Sequence, residues 1–221
     1  MHAEIRYRPT FAAIFVTLAP GESITAVAGA MASMSSHIRA RVRFFGGLLQ
    51  ALARRLFGGE SLFMSQFYCA KDGRPGEVVV SQPTPGDIQQ VELRGTALFV
   101  QPGAFLACGP GVRVGLSWAG LASWFGGQGL FRLRLSGEGM AWFGAYGSIV
   151  KRQVDDAYLV DTGHLLAYEP TLSLGVALAG GLVSSALGGE GLVSRLSGRG
   201  EVYLQSRSLA DLTAWTNAHL R

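Results

Sequence analysis

The string Leu159-Val160-Asp161-Thr162-Gly163 has the form of an aspartic-protease signature. Acid–base hydrolysis of that kind needs two carboxylates sharing one proton, because two like charges a few ångströms apart cannot both ionise. One string supplies one carboxylate, so a second chain would have to bring the other. The residue after Gly163 is His164, where the protease pattern has Ser, Thr or Ala. Asp and Gly also suit a tight turn. We therefore read Asp161 as a turn residue.

The remaining chemistry-bearing types form no constellation. Gly126-Gly127-Gln128-Gly129 and Gly137-Glu138-Gly139 lack the Gly-Lys-Ser/Thr of a phosphate loop and the strand-to-helix setting of a dinucleotide site. The histidines, His2, His37, His164 and His219, stand at no metal-ligand spacing. Ser117 and Ser123 lie outside a nucleophile elbow. Cys69 and Cys108 read as buried small hydrophobes. The expectation is a protein that is not an enzyme, with no catalytic residues, no cofactor and no metal site.

One cluster does suggest binding. Arg39, Arg41 and Arg43 alternate along one expected strand face, and Arg54 and Arg55 follow. Residues 1–60 hold seven arginines against three glutamates. Such a face can meet a phosphate-bearing partner, either RNA or an anionic lipid headgroup. The overall charge of +4 on 221 residues is mild, and no DNA partner is expected. A small ligand held in a sandwich pocket among Trp118, Trp124 and Trp142 is a further candidate.

The elements that must position these residues read as β. Hydrophobic residues make up 48% and charged residues 15%, and 31 glycines punctuate short apolar runs. That pattern favours strands joined by Gly turns. Gly120–Ser148 and Gly181–Ser208 share Gly-Gly-(Gln/Glu)-Gly-Leu, then Arg-Leu-Ser-Gly-x-Gly, then an aromatic strand, offset by about 61 to 62 residues. A weaker copy carries Gly58-Gly59-Glu60-Ser61-Leu62-Phe63. Ser23–Met34, Ala97–Cys108 and Tyr158–Pro170 each read as strand, Gly turn and strand, with a hairpin turn expected at Val100-Gln101-Pro102-Gly103. Leu133, Leu135 and Met140, Trp142 alternate on either side of Gly137-Glu138-Gly139, which predicts another hairpin, repeated around Gly198-Arg199-Gly200.

The expected organisation is repeat 1 over residues 1–95, repeat 2 over 96–157, repeat 3 over 158–208 and a helix over 209–221. Three small apolar arms, Leu48–Phe57 (helical), Leu121–Phe125 and Leu182–Leu187, are expected at subunit contacts. Ser208 is placed to cap the terminal helix, with Asp211 completing a capping box and Leu209, Leu212, Thr216 or Leu220 facing the body. No apolar stretch reaches the length of a membrane span, and no signal peptide is evident, so a soluble cytoplasmic protein is expected.

The strings Gly21–Met31, Gly59–Phe63, Pro83–Ile88 and Pro102–Ala107 together resemble a widespread bacterial family, as do Asp161–His164, Glu169–Thr171 and Gly188–Leu192. That is the mitochondrial-biogenesis family called altered inheritance of mitochondria twenty-four. The resemblance runs from about residue 20 to 209. It implies a fold like the tryptophan RNA-binding attenuation protein (TRAP-like), a β-sandwich or double-stranded β-helix unit in three tandem copies, and assembly as a homo-oligomer, with a trimer favoured. It carries no catalytic residues. The combined expectation is an all-β, self-associating scaffold or interaction protein.

Overall fold

The computed structural model describes residues 1–44, 63–118, 131–178 and 192–220. The expected arms at 48–57, 121–125 and 182–187, together with Arg54, Arg55 and Trp124, lie outside the described residues.

The chain is all-β, with seventeen strands and one regular helix among the described residues. A four-stranded sheet runs in the order β1 (His2–Arg6), β2 (Ala13–Leu18), β7 (Gly76–Ser81), β4 (Met31–Met34). Alternation makes β2: Ile14, Val16 and Leu18 are buried, and the residues between them are less so. A ten-stranded sheet follows the path β12 (Ile149–Val154), β17 (Gly200–Gln205), β14 (Leu165–Tyr168), β8 (Ile88–Val100), β11 (Phe131–Gly144), β9 (Phe105–Cys108), β3 (Ser23–Val27), β6 (Phe63–Tyr68), β5 (Arg39–Phe44). Its tenth strand, β10 (Val112–Trp118), pairs with β11. A three-stranded sheet holds β13 (Ala157–Val160), β16 (Leu192–Gly198) and β15 (Leu172–Leu178).

Three apolar cores lie between these layers. The first packs Ile14, Val16 and Val80 of the small sheet against Ile24, Phe67, Leu106 and Trp142. The second joins Leu98, Val100, Leu133, Leu135 and Phe143. The third joins Phe99, Tyr168, Leu172, Leu196 and Val202. Arg132 lies over the Phe99 ring at 3.6 Å and donates to the Tyr168 hydroxyl. Burial pushes that hydroxyl's pKa up, and the arginine charge opposes the shift.

Four sequence expectations are corrected. Residues 131–144 form no hairpin, because β11 runs straight through Gly137-Glu138-Gly139 and pairs with β8 on both sides. The register shifts between Ser136 and Glu138, so the Gly-x-Gly is a bulge. Gly137 sits at φ 107° and Gly139 at φ 136°, regions that side-chain-bearing residues rarely adopt. The hairpin expected around Gly198-Arg199-Gly200 does not form either. β16 and β17 flank Arg199 but join different sheets, so the chain crosses between layers there instead of reversing.

The expected hairpin at 100–103 is likewise a single 3-10 turn, Pro102–Ala104. It carries the chain from β8 to β9 with β11 lying between them. A matching 3-10 turn, Thr162–His164, links β13 to β14.

The terminal helix α1 spans Leu209–His219, and Ser208 caps it by accepting from the Asp211 N–H at 3.2 Å. It buries no residue. Leu209, Leu212, Trp215 and Leu220 are exposed, so the expected face toward the body is not formed.

Candidate anion-binding site

Strand β5 is the edge of the ten-stranded sheet and pairs with β6 alone among the described residues. Its register sets Arg39 opposite Tyr68, Arg41 opposite Gln66 and Arg43 opposite Met64. Arg39, Ala40, Arg41 and Val42 are all exposed, and Val42 reaches 57%. An edge strand rich in arginine resists pairing with another sheet through charge repulsion.

The geometry around Arg41 is built inward from the edge. Its Nε donates to Gln66 Oε1 at 2.8 Å. Gln66 is only 6% exposed, and its Nε2 donates to Ser23 Oγ at 3.0 Å. A buried amide satisfied on both ends is a rigid strut across three strands, β5, β6 and β3. The guanidinium lies 5.3 Å from the Tyr68 ring centroid. With Nε committed to Gln66, the two terminal nitrogens keep their donors for another partner.

Beside this strut is a cavity of about 270 Å³ lined by Gly21, Ser23, Arg41, Gln66, Tyr68 and Lys71, among others, with no carboxylate in its wall among the described residues. Among the described residues neither Arg39, Arg41 nor Lys71 forms an ion pair. Four other cations do meet acids, among them Arg8 with Asp87 at 2.7 Å and Lys151 with Glu201 at 2.6 Å. The unpaired guanidinium, held in place and next to an ammonium, can grip the oxygens of a phosphate or carboxylate.

Of the five arginines singled out in the sequence, Arg39 and Arg41 fall on this edge and Arg43 continues the strand. The sequence reading did not find Gln66, Ser23, Tyr68 or Lys71. The 25-residue and 43-residue separations of the two strut bonds leave no local signal; only strand register brings the partners together.

The other candidates fall differently. Asp161 Oδ1 accepts from Gly163 N at 3.1 Å and caps the Thr162–His164 turn, as a turn residue should. Trp142 is fully buried, and its Nε1 donates to Gln90 Oε1 at 3.0 Å. Cys69 and Cys108 are buried and form no disulfide with each other. No helix among the described residues is long and apolar enough to cross a membrane.

Comparison with known proteins covers almost the whole chain. Residues 3–207 match the family profile described as mitochondrial biogenesis AIM24. An uncharacterized protein of Streptococcus pyogenes serotype M6 is 30% identical over 178 residues, which is 79% of this chain and 71% of that protein. The crystal structure of a Streptococcus pyogenes protein superposes with a TM-score of 0.78 at 26% identity, covering 99% of each chain.

Proposed function

The chain belongs to the mitochondrial biogenesis AIM24 family, and from its own geometry we propose that it is a non-catalytic interaction protein that docks on an anionic phospholipid surface through the β5 edge. The observation that carries this is the Gln66-held Arg41, which lines one cavity with Lys71 and with no carboxylate among the described residues. A phospholipid headgroup is favoured over RNA for a physical reason. Single-stranded RNA is gripped by bases stacking on free rings. The ring at this site, Tyr68, already lies beneath Arg41.

The expected result is flotation with phosphatidylserine-containing vesicles, little with pure phosphatidylcholine, and weaker binding as salt rises. Basic residues near an anionic surface contribute about 1 kcal/mol each, so reversing Arg39 and Arg41 together (R39E/R41E) weakens binding by roughly thirty-fold or more. Equal flotation of the double variant would overturn the assignment. Failure to float, with salt-sensitive retardation of single-stranded RNA, would replace the lipid by RNA.

A second reading, self-association, is favoured by a separate observation. Helix α1 has eleven residues, and Trp215 is 61% and Leu220 80% exposed. Helices this short are marginal in water without a packed face. Leu209, Leu212, Trp215 and Leu220 carry no charge, so two copies of a +4 chain meet there without opposing like charges. We assign that stripe to a second copy of this chain, with a trimer as the expected assembly. Light scattering should give a multiple of the chain mass, and L212E/W215E should bring it to the monomer with the circular dichroism of the β body unchanged. A monomeric wild-type mass at high concentration would sink this reading.

The repeat architecture belongs to the same proposal. Three TRAP-like copies are supported by matched pairings. Val112 lies opposite Gly137 as Leu172 lies opposite Gly198, and Gly115 opposite Arg134 as Gly175 opposite Arg195. The antiparallel pairs β5–β6, β10–β11 and β15–β16 recur in chain order.

A further inference from the structure

We propose that Asp161, His164 and Asp211 bind one divalent transition-metal ion, which clamps the first turn of α1 to the 3-10 turn Thr162–His164. Ligand atoms of the three side chains all lie within 4.8 Å of one another. Asp161 and His164 come from one end of the third core, and Asp211 from the helix that follows.

The histidine is set as a metal-binding histidine is set. Its Nδ1 lies 2.7 Å from the Gln205 carbonyl oxygen, an acceptor only, so Nδ1 carries the proton and donates. That leaves the Nε2 lone pair outward, 3.8 Å from Asp211 Oδ2. The separation is too long for a hydrogen bond. It does suit two ligands of one ion, which stand at most about 4.2 Å apart when each bond is about 2.1 Å. The wider pairs close by small rotations of the two exposed carboxylates. Asp161 uses Oδ1 to cap Gly163 N, which steadies it and leaves its second oxygen without a hydrogen bond among the described residues.

The surrounding shell holds this arrangement. Gln205 fixes the turn twice: its carbonyl accepts from His164, and its Nε2 donates to Gly163 O at 2.7 Å. Outer partners of this kind orient the ligands of metal sites. Gly163 also has no room for a side chain, since a Cβ there would come within 2.5 Å of Ser208 Oγ. The turn and the helix cap are therefore in direct contact, and α1 makes its principal contacts with this turn. One imidazole and two carboxylates form a mixed N,O donor set, which suits Zn²⁺, Co²⁺ or Mn²⁺ better than a soft ion.

The test is titration calorimetry on the full chain, freed of any histidine tag, with Zn²⁺, Co²⁺ and Mn²⁺ in turn. One ion per chain is expected for the wild type and for the control H219Q. D161N keeps an oxygen for the Gly163 cap, and D211N and H164Q are also close in size, so the fold survives and circular dichroism checks it. Each should weaken binding by at least roughly tenfold, the effect that loss of an outer-shell partner alone produces. Co²⁺ should show a visible absorption band in the wild type that H164Q abolishes. The proposal is overturned if none of the three ions binds saturably, or if D211N and H164Q bind as the wild type does. Light scattering and flotation read neither result, so this test stands apart from the preceding proposals.

Discussion

Replacing Trp142 by alanine is expected to lower the unfolding free energy by about 3–5 kcal/mol. Trp142 is among the largest fully buried side chains in the structure and closes the first core from the β11 side. On β11 its backbone stands between Gln90 of β8 and Ala107 of β9. Its removal deletes contacts to both halves of the first core and opens a void that a paired strand cannot collapse to fill. The change also strips Gln90 Oε1 of the indole N–H that satisfies it. For a chain of this length the midpoint of thermal unfolding should fall by roughly 6–20 °C. Trp142→Phe keeps most of the volume and should cost markedly less. Urea unfolding of the three proteins decides the matter, and a Trp142→Ala midpoint equal to wild type would remove Trp142 from the core.

Gly137→Ala is the second large effect, expected at about 2–5 kcal/mol from backbone strain and overpacking together. Two independent costs act at this one position. At φ 107° the new side chain is strained wherever it points. Its Cβ would also meet the Gly111 carbonyl oxygen at 2.4 Å, and that oxygen belongs to backbone that cannot swing aside. Gly103→Ala is the matched control, because nothing lies within 4 Å of a Cβ there. It should stay within about 0.5 kcal/mol of wild type, as exposed positions free of such features do. Equal destabilisation by the two substitutions would show that the bulge at Gly137 does not require glycine.

The same glycine shows where a linear reading stops. Gly-x-Gly between two alternating runs has the composition of a hairpin turn and of a bulge alike. What separates them is a third strand. β8 pairs with β11 on both sides of Gly137, so the chain cannot reverse. Around Arg199 the two flanking strands are claimed by different sheets. At both Gly-x-Gly strings long-range pairing overrode the local signal.

The candidate sites divide in the same way. Arg39, Arg41 and Arg43 could be found from period-2 spacing, because adjacent side chains of a strand point to opposite faces. Gln66 and Ser23, which hold Arg41, could not, nor could Lys71 from the insertion after β6. Asp161 was legible as a turn residue, and its bond to Gly163 N is that of a turn. Its proximity to Asp211 depends on how α1 leaves the third core. The helix itself was marked by Ser208 and Asp211, since capping is local. Which way its leucines face was not, because that depends on what the helix packs against.

The amino-acid sequence alone determined the all-β class, the family and the helix start. These rest on alternation, turn-forming glycines and caps, interactions within a few residues of one another. The tertiary structure decided which glycines turn and which bulge, which arginine is held by a buried glutamine, and which acids meet His164. Each of those depends on strand register and layer packing between segments tens of residues apart, where shifting a strand by one residue turns every side chain to the opposite face.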